Sequence, residues 1–163
     1  MSGFSSTDRL AEVLLEDAAA PPRSPEMQQE LDVALYDLRE ENHFRPIAEA
    51  SGPFRLLITR TDRGVVFEIA DALGAPVASI SMPPSALREA VEDYTAICER
   101  YFGAVRKLPP AEIEAIDSDR KAIHDDGAAL IARRLEPAAR LDHATARRLF
   151  TVICALTARP TGA

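Results

Sequence analysis

The chain has 163 residues, the length of one ordinary domain. Hydrophobic residues make up 47% and charged residues 28% of it, close to the globular average, which argues against global disorder. Nineteen basic and twenty-six acidic side chains give a net charge of −7. That excess of acid argues against a dedicated nucleic-acid binder and against strong attraction to anionic lipid.

The sequence shows no targeting or membrane segment. The amino-terminal residues MSGFSSTD contain neither a basic stretch nor a long apolar run, so they do not fit a signal peptide. The apolar runs elsewhere are too short to span a bilayer. Cys98 and Cys154 each lie in an apolar helical context and are predicted to be buried free thiols. We therefore expect a cytoplasmic protein that makes no membrane contact.

The first elements are a short ambiguous segment and a helix. Residues 1–8 and 159–163 are predicted disordered tails, which leaves a single globular domain over 9–158. Residues 9–16 fit a short strand or a short helix, and strand is favoured because 18–22 break the chain directly afterwards. Ser24, Pro25 and Glu26 are typical of a helix start, and the apolar spacing that follows predicts a helix ending near Asn42.

The middle of the chain changes to a period of two. Apolar residues alternate with polar ones over 54–59 and again over 65–69, and a third apolar run covers 77–82. Turn residues separate these runs at 62–64 and 71–76. The pattern predicts a three-stranded antiparallel meander.

Helical periodicity returns from Ser85 onward. One long stripe ends near Lys107, a second helix is predicted over 111–135, and Asp142 is placed to cap a third. The predicted fold is therefore α+β: an N-terminal helix, the meander with one possible extra N-terminal strand, and three C-terminal helices packed on the sheet.

Known chemical motifs are missing from the sequence. It contains no glycine-rich phosphate loop, no paired-cysteine or histidine metal pattern, and no serine in a nucleophile-elbow context. We therefore expect no metal and no cofactor, and the sequence favours a non-enzyme. Aromatic residues make up only 6% and tryptophan is absent, which argues against an aromatic surface on which nucleic-acid bases stack.

One charged group stands out in the helix predicted over 111–135. At about 100° per residue, this helix places on one apolar face Ile113, Ile116, Ile123 and Gly127. Arg120 falls inside that stripe, and Asp117 and His124 lie on its shoulder, one turn to either side. A charge on a core-facing stripe needs a partner, and Asp117 is well spaced to provide it. Gly127 is expected to mark a close contact between helices.

Two interpretations of this group are open. In the functional one, Arg120 holds an anion in a pocket and His124 transfers a proton, so that Asp117, Arg120 and His124 are catalytic candidates, with Tyr94 beside them. In the structural one, which we favour, the group is an internal salt bridge with a capped histidine. Tyr94 itself is expected in the core, because its spacing continues an apolar stripe.

Charge is distributed unevenly along the chain. Residues 25–50 carry seven acids against two arginines, whereas 133–163 carry six arginines against two acids. Either these two segments face each other in the fold, which we favour, or the second forms a basic patch for an acidic or phosphate-bearing partner. Arg147 and Arg148 are the binding candidates of that patch. His43 and His143 have no partner readable from the sequence and are expected at the surface.

Several segments resemble one known family. They are LREEN (38–42), DYTAICE (93–99), IEAID (113–117), IHDDG (123–127) and TARRLF (145–150). Together they resemble the alphaproteobacterial family of uncharacterised proteins that carries the UPF number 0262, with similarity over about 9–156. The family reads His-Asn-Glu-Gly where this chain has His124-Asp125-Asp126-Gly127, so a role that needs the amide is not carried over. The resemblance implies a small cytoplasmic bacterial protein and no activity.

These observations leave two hypotheses of function. The first is a non-catalytic interaction or regulatory protein with a protein partner, supported by the missing motifs, the divided charge and the long helical half. It expects the group around Arg120 to be closed off from solvent. The alternative is a small-molecule (anion) binder or small enzyme, which expects polar tips of Asp117, Arg120 and His124 to converge in one cavity.

Overall fold

The computed structural model describes residues 3–16 and 22–158. The break predicted at 18–22 lies almost entirely outside the described residues, as does the tail predicted at 159–163. In chain order the elements are β1 (Leu10–Glu16), α1 (Pro25–Glu40), β2 (Phe44–Pro46), β3 (Phe54–Thr61), β4 (Gly64–Ala70), β5 (Pro76–Met82), α2 (Pro84–Lys107), α3 (Pro110–Leu135), β6 (Ala139–Leu141) and α4 (His143–Thr157).

The main sheet has the strand order β1-β3-β4-β5. The antiparallel meander of β3, β4 and β5 is confirmed, and the N-terminal segment is a strand. The favoured prediction of a strand at 9–16, before the first helix, is therefore confirmed. β1 lies parallel to β3, because α1 carries the chain back across the sheet between them, as a parallel pair requires. The sheet is mixed, which the sequence analysis did not foresee.

A second, small sheet joins β2 to β6 in antiparallel register. It was missed because each strand has only three residues, too few to show an alternation. Phe44 and Pro46 are buried on its inner side. This sheet fixes the chain after α1 against the chain just before α4.

Asn42 joins the end of α1 to β1. Its amide nitrogen donates to the carbonyls of Leu38 and Leu10, at 2.7 and 2.9 Å, and its amide oxygen accepts from the backbone nitrogen of Leu10 at 2.6 Å. Asn42 is buried with its hydrogen bonds made, as a polar core residue must be. The helix ends at Glu40, two residues before the predicted end, because Asn42 serves this bridge.

The helices form a bundle around α4. Every residue from 149 to 156 is buried, and α4 is in contact with α1, α2 and α3. The most extensive contacts of α3 are with α2, α4 and β6, so the prediction that the three C-terminal helices pack on the main sheet is corrected for α3. The second half of α4, residues 149–156, is almost wholly apolar, and such a helical segment is stable only when it is surrounded on all sides. Asp142 caps α4 as predicted, by accepting a hydrogen bond from the backbone nitrogen of Thr145.

Candidate functional site

Arg120 lies on α3 and is held by two carboxylates. Its Nη2 and Nε donate to Asp117 Oδ1 at 2.7 and 3.0 Å, and its Nη1 donates to Glu30 Oε1 of α1 at 3.4 Å. The guanidinium also lies 4.5 Å from the centroid of the Tyr101 ring, a cation–π contact. The predicted pairing with Asp117 is therefore present. Glu30 and Tyr101 complete the surroundings of Arg120, and only 22% of the arginine side chain remains exposed.

The charges of this site stabilise one another. Burial acts to lower the pKa of Arg120, but its hydrogen bond to Asp117 and the neighbouring negative charges outweigh burial and raise it. The hydrogen bond from Arg120 holds the pKa of Asp117 below its usual range. Both side chains stay charged over the whole neutral range, so this pair is suited to structure and not to proton transfer.

Tyr94 lies on α2 between the two predicted halves of the site. It is buried, and its ring tilts against His124 with centroids 4.9 Å apart. Burial, followed by Cys98, raises the pKa of the Tyr94 phenol far above its usual range, and burial raises the pKa of the Cys98 thiol to about 11. Neither group ionises at neutral pH. Tyr94 therefore takes the core position that the apolar stripe predicted.

His124 makes its hydrogen bonds with α4. The distance from His124 Nε2 to Thr151 Oγ1 is 2.7 Å, and Arg147 Nε donates to His124 Nδ1 at 3.2 Å. Since Nδ1 accepts, Nε2 carries the proton and donates it to Thr151. The Thr151 hydroxyl in turn donates to the carbonyl oxygen of Arg147 at 3.3 Å. Three side chains thus close a ring of hydrogen bonds that defines the histidine tautomer.

The environment keeps His124 uncharged. Burial, followed by the positive charge of Arg147, lowers the pKa of His124 from 6.5 to about 4. At neutral pH the ring is therefore a neutral acceptor for Arg147. A general acid would need a proton to give at Nδ1, and here Nδ1 already accepts from a cation. The geometry makes His124 a positioning group for Arg147.

Arg147 is the exposed member of this ring. Its side chain is 42% exposed, and Nε also lies 3.3 Å from Asp125 Oδ1. The same carboxylate oxygen is 3.1 Å from His143 Nε2. Among the residues that the structure describes, nothing accepts a hydrogen bond from the two terminal nitrogens of Arg147. These nitrogens form a planar pair of donors that the described chain leaves unused.

The remaining candidates lie next to this ring or away from it. Arg148, one residue along α4, donates through Nη1 to the backbone oxygen of Glu41 at 2.8 Å. His143 is exposed as expected, whereas His43 is partly buried and its Nδ1 is 3.1 Å from Asp142 Oδ2. Gly127 does mark a close helix contact, because a methyl group there would overlap the Phe150 ring.

Two hydrogen-bond partners of the predicted site residues come from other helices and were not predicted from the sequence. Glu30 had no signal, since nothing in the sequence places α1 against α3. Thr151 could have been found, because it stands four residues after Arg147 on the same helix face. The predicted group of Asp117, Arg120 and His124 is divided: the first two bond to each other and to α1, and the third bonds to α4.

Within residues 3–16 and 22–158, no cluster of three histidine, cysteine or carboxylate side chains is arranged to bind a metal ion. No helix in that part of the chain is long and apolar enough to cross a membrane. Asp117, Arg120 and His124 line neither the groove beside residues 45–51 nor the groove between the β3–β4 hairpin and α2.

Known proteins resemble the chain over nearly its whole length. The model of an uncharacterised protein family, UPF0262, matches residues 7–159. UPF0262 proteins of Dinoroseobacter shibae and Paracoccus denitrificans are 43% and 45% identical to the chain, over 90% and 93% of it and 96% of each relative. One from Rhodospirillum rubrum is 42% identical over 96% of both chains. No solved structure shows significant similarity. The chain is therefore a member of the UPF0262 family.

Proposed function

We propose that this protein is a non-catalytic, cytoplasmic interaction protein that binds an acidic segment of a partner protein. The proposed contact surface, called the basic face below, consists of Arg140, Arg147 and Arg148 at and just before the start of α4. The observation that carries the proposal is the fixed and half-exposed guanidinium of Arg147, with its two terminal nitrogens unbonded within the described chain.

The ring of hydrogen bonds prepares Arg147 for binding. An arginine on a free surface loses side-chain entropy when it binds, at a cost of about 1 kcal/mol. Here His124 accepts a hydrogen bond from Nε of the guanidinium, and Thr151 holds His124 in place. Much of the side-chain entropy is therefore already lost on folding and not on association. The remaining nitrogens match the two oxygens of a carboxylate in the bidentate geometry that gives arginine its strongest pairs.

Like charges on the small sheet support the same surface. Arg140 of β6 lies directly opposite Arg45 of β2 in the antiparallel register. Two like charges at such a pair destabilise a sheet, unless they meet negative charge from elsewhere. Arg45 donates to the backbone oxygen of Gly3, which satisfies hydrogen bonding but supplies no full negative charge. An acidic partner would relieve this repulsion.

The arrangement favours interaction over catalysis. The acidic segment 25–50 and the arginine-rich segment do pack together, since α1 contacts α4. Yet within the described residues no carboxylate of that segment is paired with Arg140, Arg147 or Arg148; Arg148 meets only a backbone oxygen. The alternative, an anion-binding site at Asp117, Arg120 and His124, has less support. The carboxylates of Asp117 and Glu30 already occupy the positions around Arg120 at which an anion would bind.

A peptide titration tests the proposal. Hexaglutamate and, as a control, hexalysine are titrated into labelled protein while the Nε–H signals of the arginine side chains are followed by NMR. We expect hexaglutamate to shift the Arg147 signal and binding to weaken as salt is added. Arg147→Gln should lower the affinity about tenfold or more, the loss expected for one bidentate charged pair of about 1.4 kcal/mol or more.

Arg100→Gln is the matched control. Arg100 is an exposed arginine of α2 outside the basic face, and its replacement removes the same charge. If Arg100→Gln and Arg147→Gln weaken binding equally, the peptide senses only net charge and the proposed surface is wrong. A lack of any shift at Arg147 with hexaglutamate would equally contradict the proposal.

A further inference from the structure

A groove on the side of the molecule formed by α2 and the β3–β4 hairpin has the size of a ligand site. It lies between the hairpin end, the first three turns of α2 and the last residues of α4, and its volume is about 750 Å³. Small-molecule sites occupy roughly 300 to 1,000 Å³ and combine an apolar wall with a few polar groups. This groove is separate from the basic face, and the inference drawn from it does not rest on the proposed function.

One face of α2 forms the long wall of the groove. Arg88, Val91, Glu92 and Thr95 follow one another at helical spacing along it. Between Arg88 and Thr95 the helix rises about 10 Å, at about 1.5 Å per residue. Val65 and Met82 of the sheet and Leu87 of α2 supply the apolar floor. The groove is therefore elongated, with an apolar floor, a polar group at each end and Glu92 on the wall between them.

The end nearest the start of α2 contains an available cation. Arg88 is exposed and has no ion pair within the described chain. Arg60 of β3 lies opposite Val65 and lines the same end, and the first turn of α2 contains no acid. Asp62 and Glu92 also line the groove, so its two arginines and two acids balance in number. The group that can pair with an anionic head group is therefore the unpaired guanidinium of Arg88.

The other end contains an unsatisfied hydroxyl. Thr95 Oγ1 is buried and makes no hydrogen bond to any residue that the structure describes. A buried polar atom without a partner costs about 1 to 3 kcal/mol, and such atoms are rare in folded proteins. Thr95 is one of the residues that line the groove, and threonine in a helix adopts two rotamers.

We propose that this groove binds a linear amphipathic carboxylate that carries a second polar group about 10 Å from its acid group. The carboxylate of the ligand pairs with Arg88 at one end of the groove. Its aliphatic body covers Val65, Leu87 and Val91, and its second polar group hydrogen-bonds to Thr95 at the other end. Each part of the ligand contacts one feature of the groove: the cation, the apolar floor or the unsatisfied hydroxyl.

The test compares three chains of equal length, 8-hydroxyoctanoate, octanoate and octylammonium, by NMR titration of the full chain. We expect 8-hydroxyoctanoate to bind tightest, octanoate several-fold more weakly, and octylammonium least, with backbone shifts at Arg88–Thr95 and none at Arg147. Thr95→Val should remove the preference for 8-hydroxyoctanoate over octanoate and raise the Tm of the free protein. Arg88→Gln should weaken both acids about tenfold and leave octylammonium unaffected.

Ala96→Leu fills the groove from an exposed position of α2, and Ala122→Leu makes the same change at an exposed position of α3 outside it. We expect the first to abolish binding and the second to leave it unchanged. Equal binding of octanoate and octylammonium would overturn the anionic class. A preference for the hydroxyl that survives Thr95→Val would overturn the role of Thr95, and absence of shifts with all three probes would overturn the site.

Discussion

The two arginines at the centre of this bundle are held in opposite ways. Arg120 has two carboxylates and an aromatic ring around it and is 22% exposed. Arg147 has a neutral histidine and one edge contact with Asp125 and is 42% exposed. Arg120 uses all of its guanidinium inside the protein. Arg147 uses only its Nε, which leaves the four N–H donors of its two terminal nitrogens for something outside.

The difference shows that burial and charge neutralisation, and not residue type, decide whether a cation is structural or available. Arg120 connects α1 to α3, and its removal would leave two carboxylates of low exposure without a counter-ion. Arg147 is oriented by a neutral histidine, and the one carboxylate at its Nε is the half-exposed Asp125, which also contacts His143. The following predictions test this contrast.

The largest effect is expected for Arg120→Ala. It should lower the free energy of unfolding by about 3 kcal/mol, because Asp117 and Glu30 lose their shared partner in a partly buried place. Arg147→Ala should cost about 1 kcal/mol or less, as for exposed ion pairs. Chemical denaturation of both variants measures the difference. Arg120→Met, which keeps the packing of the stem, separates lost charge from lost contact. Equal losses in the two alanine variants would remove the contrast.

Acid should weaken the Arg147 side of the bundle first. The pKa of His124 is about 4 in the folded protein, below its unfolded value of 6.5. The unfolded chain therefore binds more protons between these values, so stability is fully present above pH 6.5 and is lost as the pH falls toward 4. The expected loss is about 2 kcal/mol at pH 5, measured by denaturation at several pH values.

His124→Asn should remove most of this pH dependence, whereas His143→Asn should keep it. The lowered pKa values of Asp117 and Asp125 act in a more acidic range, because carboxylates with lowered pKa lose their contribution only below about 4. A wild-type protein equally stable at pH 7 and pH 5 would show that His124 does not sit where the structure places it.

A smaller effect is expected at Gly127, beside the aromatic cluster that His124 joins. The rings of Tyr94, His124 and Phe150 contact one another in tilted and edge-on arrangements, and Gly127 lies against the Phe150 ring. In Gly127→Ala the new methyl group overlaps that ring, and we expect a loss of about 1 to 2 kcal/mol despite the better helix propensity of alanine. An Ala129→Gly control in the same helix should lose about 1 kcal/mol through propensity alone. A stabilised Gly127→Ala variant would mean that the ring moves aside freely.

The smallest effect is expected for Thr151→Val. It removes the acceptor of the His124 Nε2 proton, and we expect a loss of about 1 kcal/mol. The more specific readout is the ring itself: nitrogen NMR should find the proton on Nε2 in the wild type and a mixture of tautomers in the variant. Thr145→Val serves as a comparison, because Thr145 also lies on α4 but bonds to the backbone of His43. A pure Nδ1 tautomer in the wild type would contradict the ring of hydrogen bonds.

Local chemistry in the sequence predicted much of the fold. The Ser24 and Asp142 caps, the meander and the limits of α2 and α3 follow from hydrogen bonding and periodicity within a few residues. What failed depends on distant residues. The parallel placement of β1 needs α1 to cross the sheet, and the three-residue strands β2 and β6 exist only because each finds the other.

The site followed the same division. The Asp117–Arg120 pair is three residues apart on one helix and could be predicted from spacing. The orientation of His124 toward α4 could not be predicted, because its position on α3 is compatible with a side chain that faces either α1 or α4. Glu30, whose partner is ninety residues away, needs the packing of α1 against the rest of the bundle.

The position of α4 in the chain has a consequence for synthesis. α4 is the helix around which the others pack, yet it is translated after all of them. At about 5 to 20 residues per second, β1 to β5 wait on the order of ten seconds for it. During that time α1, α2 and α3 lack the helix against which they pack, so apolar side chains on their inner faces stay uncovered. The nascent chain should therefore depend on holding chaperones, and slowed translation just before residue 143 should increase its aggregation.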